Sequence, residues 1–350
     1  MSDPKPFDVL RPVRICRITF SRQPLILAPM EDVTDPPFRL LCRELGADWV
    51  YTEFISADGL IRDADKSLQK LDIYPAERPV SIQIFGAHID AMVEAAKVAA
   101  ASNPDFVDIN FGCPVRKVAS KGAGSGIMND VPKMVEMTRR IVQAIDLPVT
   151  VKTRLGYDQK TKYIVDIAER LQDCGIAALA IHGRTRCQMY SGQADWSLIG
   201  EVKNNPRMHI PIIGNGDITS PELALKALND FGVDGIMVGR ASIGNPWIFK
   251  QISQYLDSGI ISPAPDMRER IEMCRRHIEM SVKWKGERVA LFEMRRHYSH
   301  YFKGIVNFMP FRMRLVTAAS LEALYAVLDE IAITDFTTIQ PPPPEADSAS

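Results

Sequence analysis

No cysteine in this sequence has a partner at Cys-x-x-Cys spacing. The six, at positions 16, 42, 113, 174, 187 and 274, are scattered. That excludes the paired thiols of a structural zinc site and a disulfide framework, so no metal is expected and the thiols read as reduced. No apolar run approaches the roughly 18 residues of a membrane span. The start, Met1-Ser2-Asp3-Pro4-Lys5-Pro6, lacks the basic segment and apolar stretch of a secretory leader. The expectation is a cytoplasmic protein without membrane contact, and a monomer. Charge bias is missing as well. A formal net charge of -1, with 46% hydrophobic and 24% charged residues, allows a large core but names no anionic partner.

What is present is alternation. Eight short apolar runs begin near Leu25, Trp49, Val80, Phe106, Pro148, Ala178, Ile210 and Gly235, each followed by an amphipathic stretch such as Asp90–Ala101, Val131–Ala144 or Tyr163–Cys174. Strand and helix in this rhythm mean parallel strands with crossover helices. A doubly wound open sheet would gather its polar groups at one switch point. Here nearly every run ends in polar or glycine residues, which is what the C-terminal face of a closed barrel requires. The expected fold is therefore α/β, a (β/α)8 TIM barrel over residues 1–258, with Ser2–Gln23 as a hairpin closing its bottom. A linker with Gly259, Pro263 and Pro265 leads to a small all-α domain over 267–335, with helices at Met267–Trp284, Arg288–Gly304 and Leu315–Ile331. Residues 336–350 have the composition of a disordered tail. Between Met267 and Arg314 there are twelve Lys/Arg against five Asp/Glu, a net of +7. Such a footprint suits a polyanion, or a helical domain with basic solvated faces.

The chemistry concentrates at strand ends. Asn110-Phe111-Gly112-Cys113-Pro114 follows the run Phe106–Ile109 and precedes Lys121-Gly122-Ala123-Gly124. A cysteine on a Gly/Pro turn past a strand is aimed out of that strand, and the glycines after it suggest a loop able to move. Most free cysteines are small buried hydrophobes, and only the company of Asn110 and the glycines argues otherwise. Gly214-Asn215-Gly216-Asp217 and Gly239-Arg240 follow the seventh and eighth strands, where barrels commonly bind phosphate through backbone amides. Lys152 lies on a strand, where an ammonium needs an anion: a flavin, a phosphate or a Schiff-base partner. Gln83 suits the edge of a heterocycle or solvent, and His182 a phosphate, a ring or a structural contact.

Taken together, these motifs resemble the tRNA-dihydrouridine synthase family, its bacterial B-type branch above all. The likeness runs from Leu27-Ala28-Pro29-Met30 and Thr34-Asp35-Pro36-Pro37-Phe38-Arg39, through the cysteine loop, Lys152-Thr153-Arg154-Leu155-Gly156 and His182-Gly183-Arg184-Thr185, to Asn215-Gly216-Asp217-Ile218 and Asn245-Pro246-Trp247. Glu31 departs from the small residue common in that branch. The resemblance implies an FMN enzyme, drawing on NADPH, that reduces uridine in tRNA. It implies Ala28, Pro29 and Met30 against the flavin ring and Gln83 and Lys152 on its polar edge. It places His182, Asn215, Gly216, Asp217, Gly239 and Arg240 at the phosphate end. Asn110 is then expected to face the substrate base, Arg154 and Arg184 to hold the nucleotide, and Cys113 to give the proton. The alternatives are a flavin barrel oxidoreductase acting on a free pyrimidine, and a non-catalytic RNA-binding protein on a retired barrel.

Overall fold

In this computed structural model, residues 9–336 are described. They divide into two compact units, one holding the residues up to Ser242 with Pro246–Ser262, the other Ile243–Asn245 and the residues from Pro263 onward. In the first unit β1 (Val13–Ile15) and β2 (Ile18–Phe20) form an antiparallel hairpin. The other strands are β3 (Leu25–Leu27), β4 (Trp49–Ser56), β5 (Val80–Phe85), β6 (Phe106–Asn110), β7 (Val149–Arg154), β8 (Ala178–His182), β9 (Ile212–Asn215) and β10 (Gly235–Val238). These eight pair in parallel and close on themselves, β10 against β3. The open sheet is thereby excluded. Closure also leaves no barrel strand with a free edge.

The bottom of the barrel is apolar. Val13, Ile15 and Phe20 of the hairpin bury in one cluster with residues from the strand beginnings, among them Ile26, Trp49, Phe106 and Ala178. Trp49 stands 4.6 Å from the Phe106 ring and donates its indole N–H to Ser81 Oγ at 2.8 Å. A closed, dry base leaves the opposite end as the place where polar groups can meet solvent and ligands.

Crossover helices start where the chain supplies caps. Asp35 accepts from the Phe38 amide ahead of helix Pro36–Glu44, Asp130 from Lys133 ahead of Val131–Ala144, and Ser220 from Leu223 ahead of Pro221–Phe231. A proline follows within the first turn in each case, where its missing N–H costs nothing. Arg39, in the first of these helices, is fully buried. It grips Glu77 through Nε (2.6 Å) and Nη2 (2.9 Å), and donates to the carbonyls of Thr34 and Asp72. A buried pair this completely satisfied holds the segment before β5 against the helix.

Among the described residues of the second unit the α-helices are Met267–Lys285, Glu287–Glu293, Arg295–Tyr301, Met309–Thr317 and Leu321–Ile333. Two expectations change. The helix expected over Arg288–Gly304 comes in two pieces that meet at Met294. The one expected from Leu315 breaks before Ser320, whose hydroxyl caps a new helix by accepting from Ala323. Tyr298 and Tyr301 lie in the core. The charge footprint also shrinks. The last helix and its flank bring Glu322, Asp329, Glu330 and Asp335, so residues 267–335 carry twelve cations against nine acids, a net of +3. Asp329 pairs with Arg275 at 2.5 Å and Glu330 with Arg314 at 2.6 Å. Phe336, expected to begin the tail, packs its ring against Phe308 and Phe311. The rest of the expected tail lies outside the described residues. No helix among the described residues is long and apolar enough to cross a membrane, and all six cysteines are free thiols.

Candidate active site at the barrel mouth

Strand register explains why the polar residues converge. Alternate residues on a strand share a face, and parallel neighbours in register stand side by side. Gln83, Asp108 and Thr150 are in register, as are Asn110 and Lys152, and as are Arg154, His182 and Asn215. Steps of two residues join these rows along β6 and β7. All of them therefore line the interior, in successive layers rising to the C-terminal end.

Cys113 is set by the layer beneath it. The Asn110 carbonyl accepts from the backbone amides of Gly112 (2.9 Å) and Cys113 (2.8 Å), and its Nδ2 donates to Gln83 Oε1 at 2.8 Å. The Cys113 carbonyl in turn accepts from the Ser125 amide and hydroxyl. Burial pushes the thiol above its usual range, outweighing the nearby Arg154 and Lys152 charges. The site thus holds a protonated thiol rather than a thiolate. Of the glycines after it, Gly124 and Gly126 are buried in a short 3-10 turn, while Gly122 has open space around it. Gly124 has φ +53°, and a Cβ there would lie 2.9 Å from the Cys113 carbonyl oxygen. Gly124→Ala is expected to cost about 1–3 kcal/mol in strain and to displace Cys113. Thermal melting together with the alkylation rate of Cys113 checks this.

Positive charge gathers across the mouth. Lys152 is half-buried, and its Nζ has no hydrogen-bond or ion-pair partner among the described residues. Burial and the neighbouring Arg154 lower its pKa to about 8. His182 is held well below its usual pKa by burial and by Arg154, Lys152, Arg184 and Arg240. Its Nδ1 is buried without a hydrogen-bond partner among the described residues. A neutral imidazole ringed by four cations marks a place built for an anion.

The loops after β9 and β10 complete that place. The amides of Gly216, Asp217, Gly239 and Arg240 donate to no acceptor among the described residues, which makes a cradle suited to phosphate. Gly216 takes φ +132°, and a Cβ on it would meet Ala194 at 2.7 Å. Asn215 donates its side-chain amide to the Met237 carbonyl at 2.7 Å and joins the two loops. Ala28 and Met30 flank Gly239 on its other side.

Some expected contacts are taken by the protein itself. Arg184 is 2% exposed, and it grips Asp217 through both terminal nitrogens (2.8 and 2.7 Å) and donates to the carbonyls of Ser191 and Gly192. It braces the loop, so its expected contact with a nucleotide phosphate is not open. Asp217 is likewise committed. Burial raises its pKa, but bonds from Arg184 and the Ala194 amide carry it below the usual range, and it steadies Arg240 at 3.2 Å. Arg154 donates to the carbonyls of Gly112, Thr185 and Met189, tying the cysteine loop to the loop after β8. Gln83 has no exposed surface, with both amide groups engaged. Of the pair expected at a ring edge, Lys152 is the one that reaches the opening. Glu31 stands near enough to push the Cys113 thiol up as well, and Lys70 Nζ contacts Glu31 at 2.7 Å and Glu53 at 3.2 Å. Burial pushes Glu53 up to about 7 despite Lys70.

Comparison with known proteins decides the family. A model described as dihydrouridine synthase (Dus) matches residues 26–337. The chain belongs to the dihydrouridine synthase family. It is 39% identical over 302 residues to the tRNA-dihydrouridine synthase B of Pseudomonas putida, covering 86% of this chain and 89% of that one. It is 37% identical over 332 residues to the probable tRNA-dihydrouridine synthase 1 of Synechocystis, covering 95% and 92%. In fold it is similar to morphinone reductase, at 13% identity, TM-score 0.52 and coverage of 76% of this chain and 94% of that one.

Within this dihydrouridine synthase, three site residues escaped sequence reasoning. Asp108 had a signal, a carboxylate inside an apolar strand. Lys70 had none. Tyr190 had none either; its ring lies between Arg154 (5.8 Å) and Arg240 (4.8 Å), a meeting that only the barrel closure produces.

Proposed function

We propose that this protein, in the cytoplasm, reduces uridine in transfer RNA to 5,6-dihydrouridine, with FMN held at the barrel mouth and NADPH as electron donor. The observation that carries the reading is a buried thiol, Cys113, sharing one mouth with an ammonium and an amide cradle that have no partners among the described residues. The residues fit a flavin mononucleotide. Lys152 would meet the polar edge of the ring, with Gln83 behind it. Ala28, Pro29 and Met30 would supply backbone beside it. The amides of Gly216, Asp217, Gly239 and Arg240, with the Arg240 side chain and His182, would hold the phosphate end, and Asn215 keeps their two loops together. When bound, the flavin supplies a hydride to C6 of the base.

The protein's own part is proton delivery and positioning. Addition at C6 leaves enolate character over C5 and C4–O4, and Cys113 donates its thiol proton to C5. Asn110 holds the loop in place while keeping one amide proton for the base. Arg154, with Nη2 unused among the described residues, remains for the nucleotide. A uridine must leave its stack to react, at a cost of a few kcal/mol. Phosphate contacts from the helical unit would offset that cost without touching the reacting atoms.

The test is nucleoside mass spectrometry of dihydrouridine-free tRNA after incubation with the protein and NADPH. A dihydrouridine peak is the expected result. Its absence, from protein that carries flavin and is reduced by NADPH, would overturn the reading in favour of a free pyrimidine substrate.

A further inference from the structure

Asp108 has no exposed surface and no task in the reaction just described. Its surroundings are specific. One carboxylate oxygen accepts from Thr150 Oγ1 at 2.5 Å, the other from Gln83 Nε2 at 2.7 Å. Lys152 on β7 and the buried Tyr51 on β4 are the titratable groups that face it. From Gln83 the chain of bonds continues to Asn110, and from Asn110 to the amides of Gly112 and Cys113.

The direction of that chain is the informative part. Burial pushes the Asp108 carboxyl up to about 7, against the bonds from Thr150 and Gln83 that hold it down, and in its ionised form it only accepts. Gln83 must therefore turn its NH2 to Asp108 and its carbonyl to Asn110. Asn110 must then turn its NH2 to Gln83, which leaves its carbonyl for the cysteine loop. That carbonyl is what two backbone N–H groups require. Both ends of the relay demand the same orientation of both amides.

We propose that Asp108 is a positioning residue for Cys113, acting through the enforced orientation of the Gln83 and Asn110 amides. The inference deepens the reading that Cys113 works from this loop, and its test needs neither RNA nor turnover. In Asn110→Asp the loop amides keep an acceptor, but Gln83 now stands between two carboxylates and cannot donate to both from one NH2 and one carbonyl. Adding Asp108→Asn repairs this. Asn at 108 accepts from Thr150 and donates to a turned Gln83, which donates to Asp at 110, so every contact returns with reversed polarity. The charge stays the same and moves by one layer.

The measurements are melting temperature at two pH values and the alkylation rate of Cys113 by iodoacetamide, read by peptide mass spectrometry. Asn110→Asp alone is expected to melt lower, with the loss growing from about pH 6 to about pH 9 as the second carboxylate ionises. Its Cys113 is expected to react about fivefold faster, and the double variant to return within about twofold of the parent, a coupling far from additive. A merely space-filling Asp108 would leave the two substitutions additive. A double variant no better than Asn110→Asp overturns the proposal, as does Asn110→Asp matching the parent in both readouts. Should Asn110→Asp fail to fold, recovery of folding in the double variant is the rescue, and failure of both overturns the proposal.

Discussion

Cys113→Ala is expected to lower uridine reduction by about 10²–10⁴, the range for loss of a placed general acid. Flavin loading and flavin reduction by NADPH should be unchanged, because Cys113 takes no part in the phosphate cradle and carries no charge to lose. Burial holds its thiol above the usual range, so the acid stays protonated through neutral pH. The pH profile should then show no alkaline limb until the pH passes the usual thiol range. Single-turnover reduction of uridine by pre-reduced enzyme, followed over pH, checks both statements. A Cys113→Ala enzyme with parental rates would remove this residue from the mechanism.

Lys152→Met should separate stability from function. An ammonium whose pKa falls from 10.5 to about 8 on folding destabilises the ligand-free protein as long as it is charged. Below about pH 8 the parent bears that penalty in full. Between about 8 and 10.5 the unfolded chain binds more protons than the folded one, so parental stability rises with pH. Replacing the lysine is therefore expected to stabilise the ligand-free protein by up to about 3 kcal/mol at neutral pH, and the gain should vanish as pH passes through that window. FMN affinity should fall together with uridine reduction, since the ammonium is the charge proposed to meet the ring. This is the trade of stability for function expected of a site held ready for an anion. Denaturant melts over pH, paired with flavin titration, read both effects. A destabilised Lys152→Met at pH 7 would show that the ammonium has a partner within the fold.

Much of this was legible because it is local. Asp35, Asp130 and Ser220 each precede a proline and cap a helix within a few residues. The eight apolar runs needed only their own composition to declare strands. The cysteine turn declared itself by Gly112 and Pro114. Roles proved harder than positions. Gly124 looked like flexibility and is a close contact with Cys113. Arg184 looked like a phosphate ligand and is a buried brace for Asp217. A guanidinium near a glycine loop reads alike in both cases; the difference lies in which carboxylate lies beside it after the chain has closed.

The sequence by itself determined the barrel, its eight strands, the family and the identity of the thiol and ammonium at its mouth, because periodicity, caps and strand ends are encoded within short stretches. Only the tertiary structure decided which polar groups are used up and which are left. Gln83, Asp108 and Thr150 come from three strands, and Arg154, Tyr190 and Arg240 from three loop regions. Their partners are fixed by register and closure, and a hydrogen bond between residues 25 or 42 positions apart leaves no trace in the residues around either end.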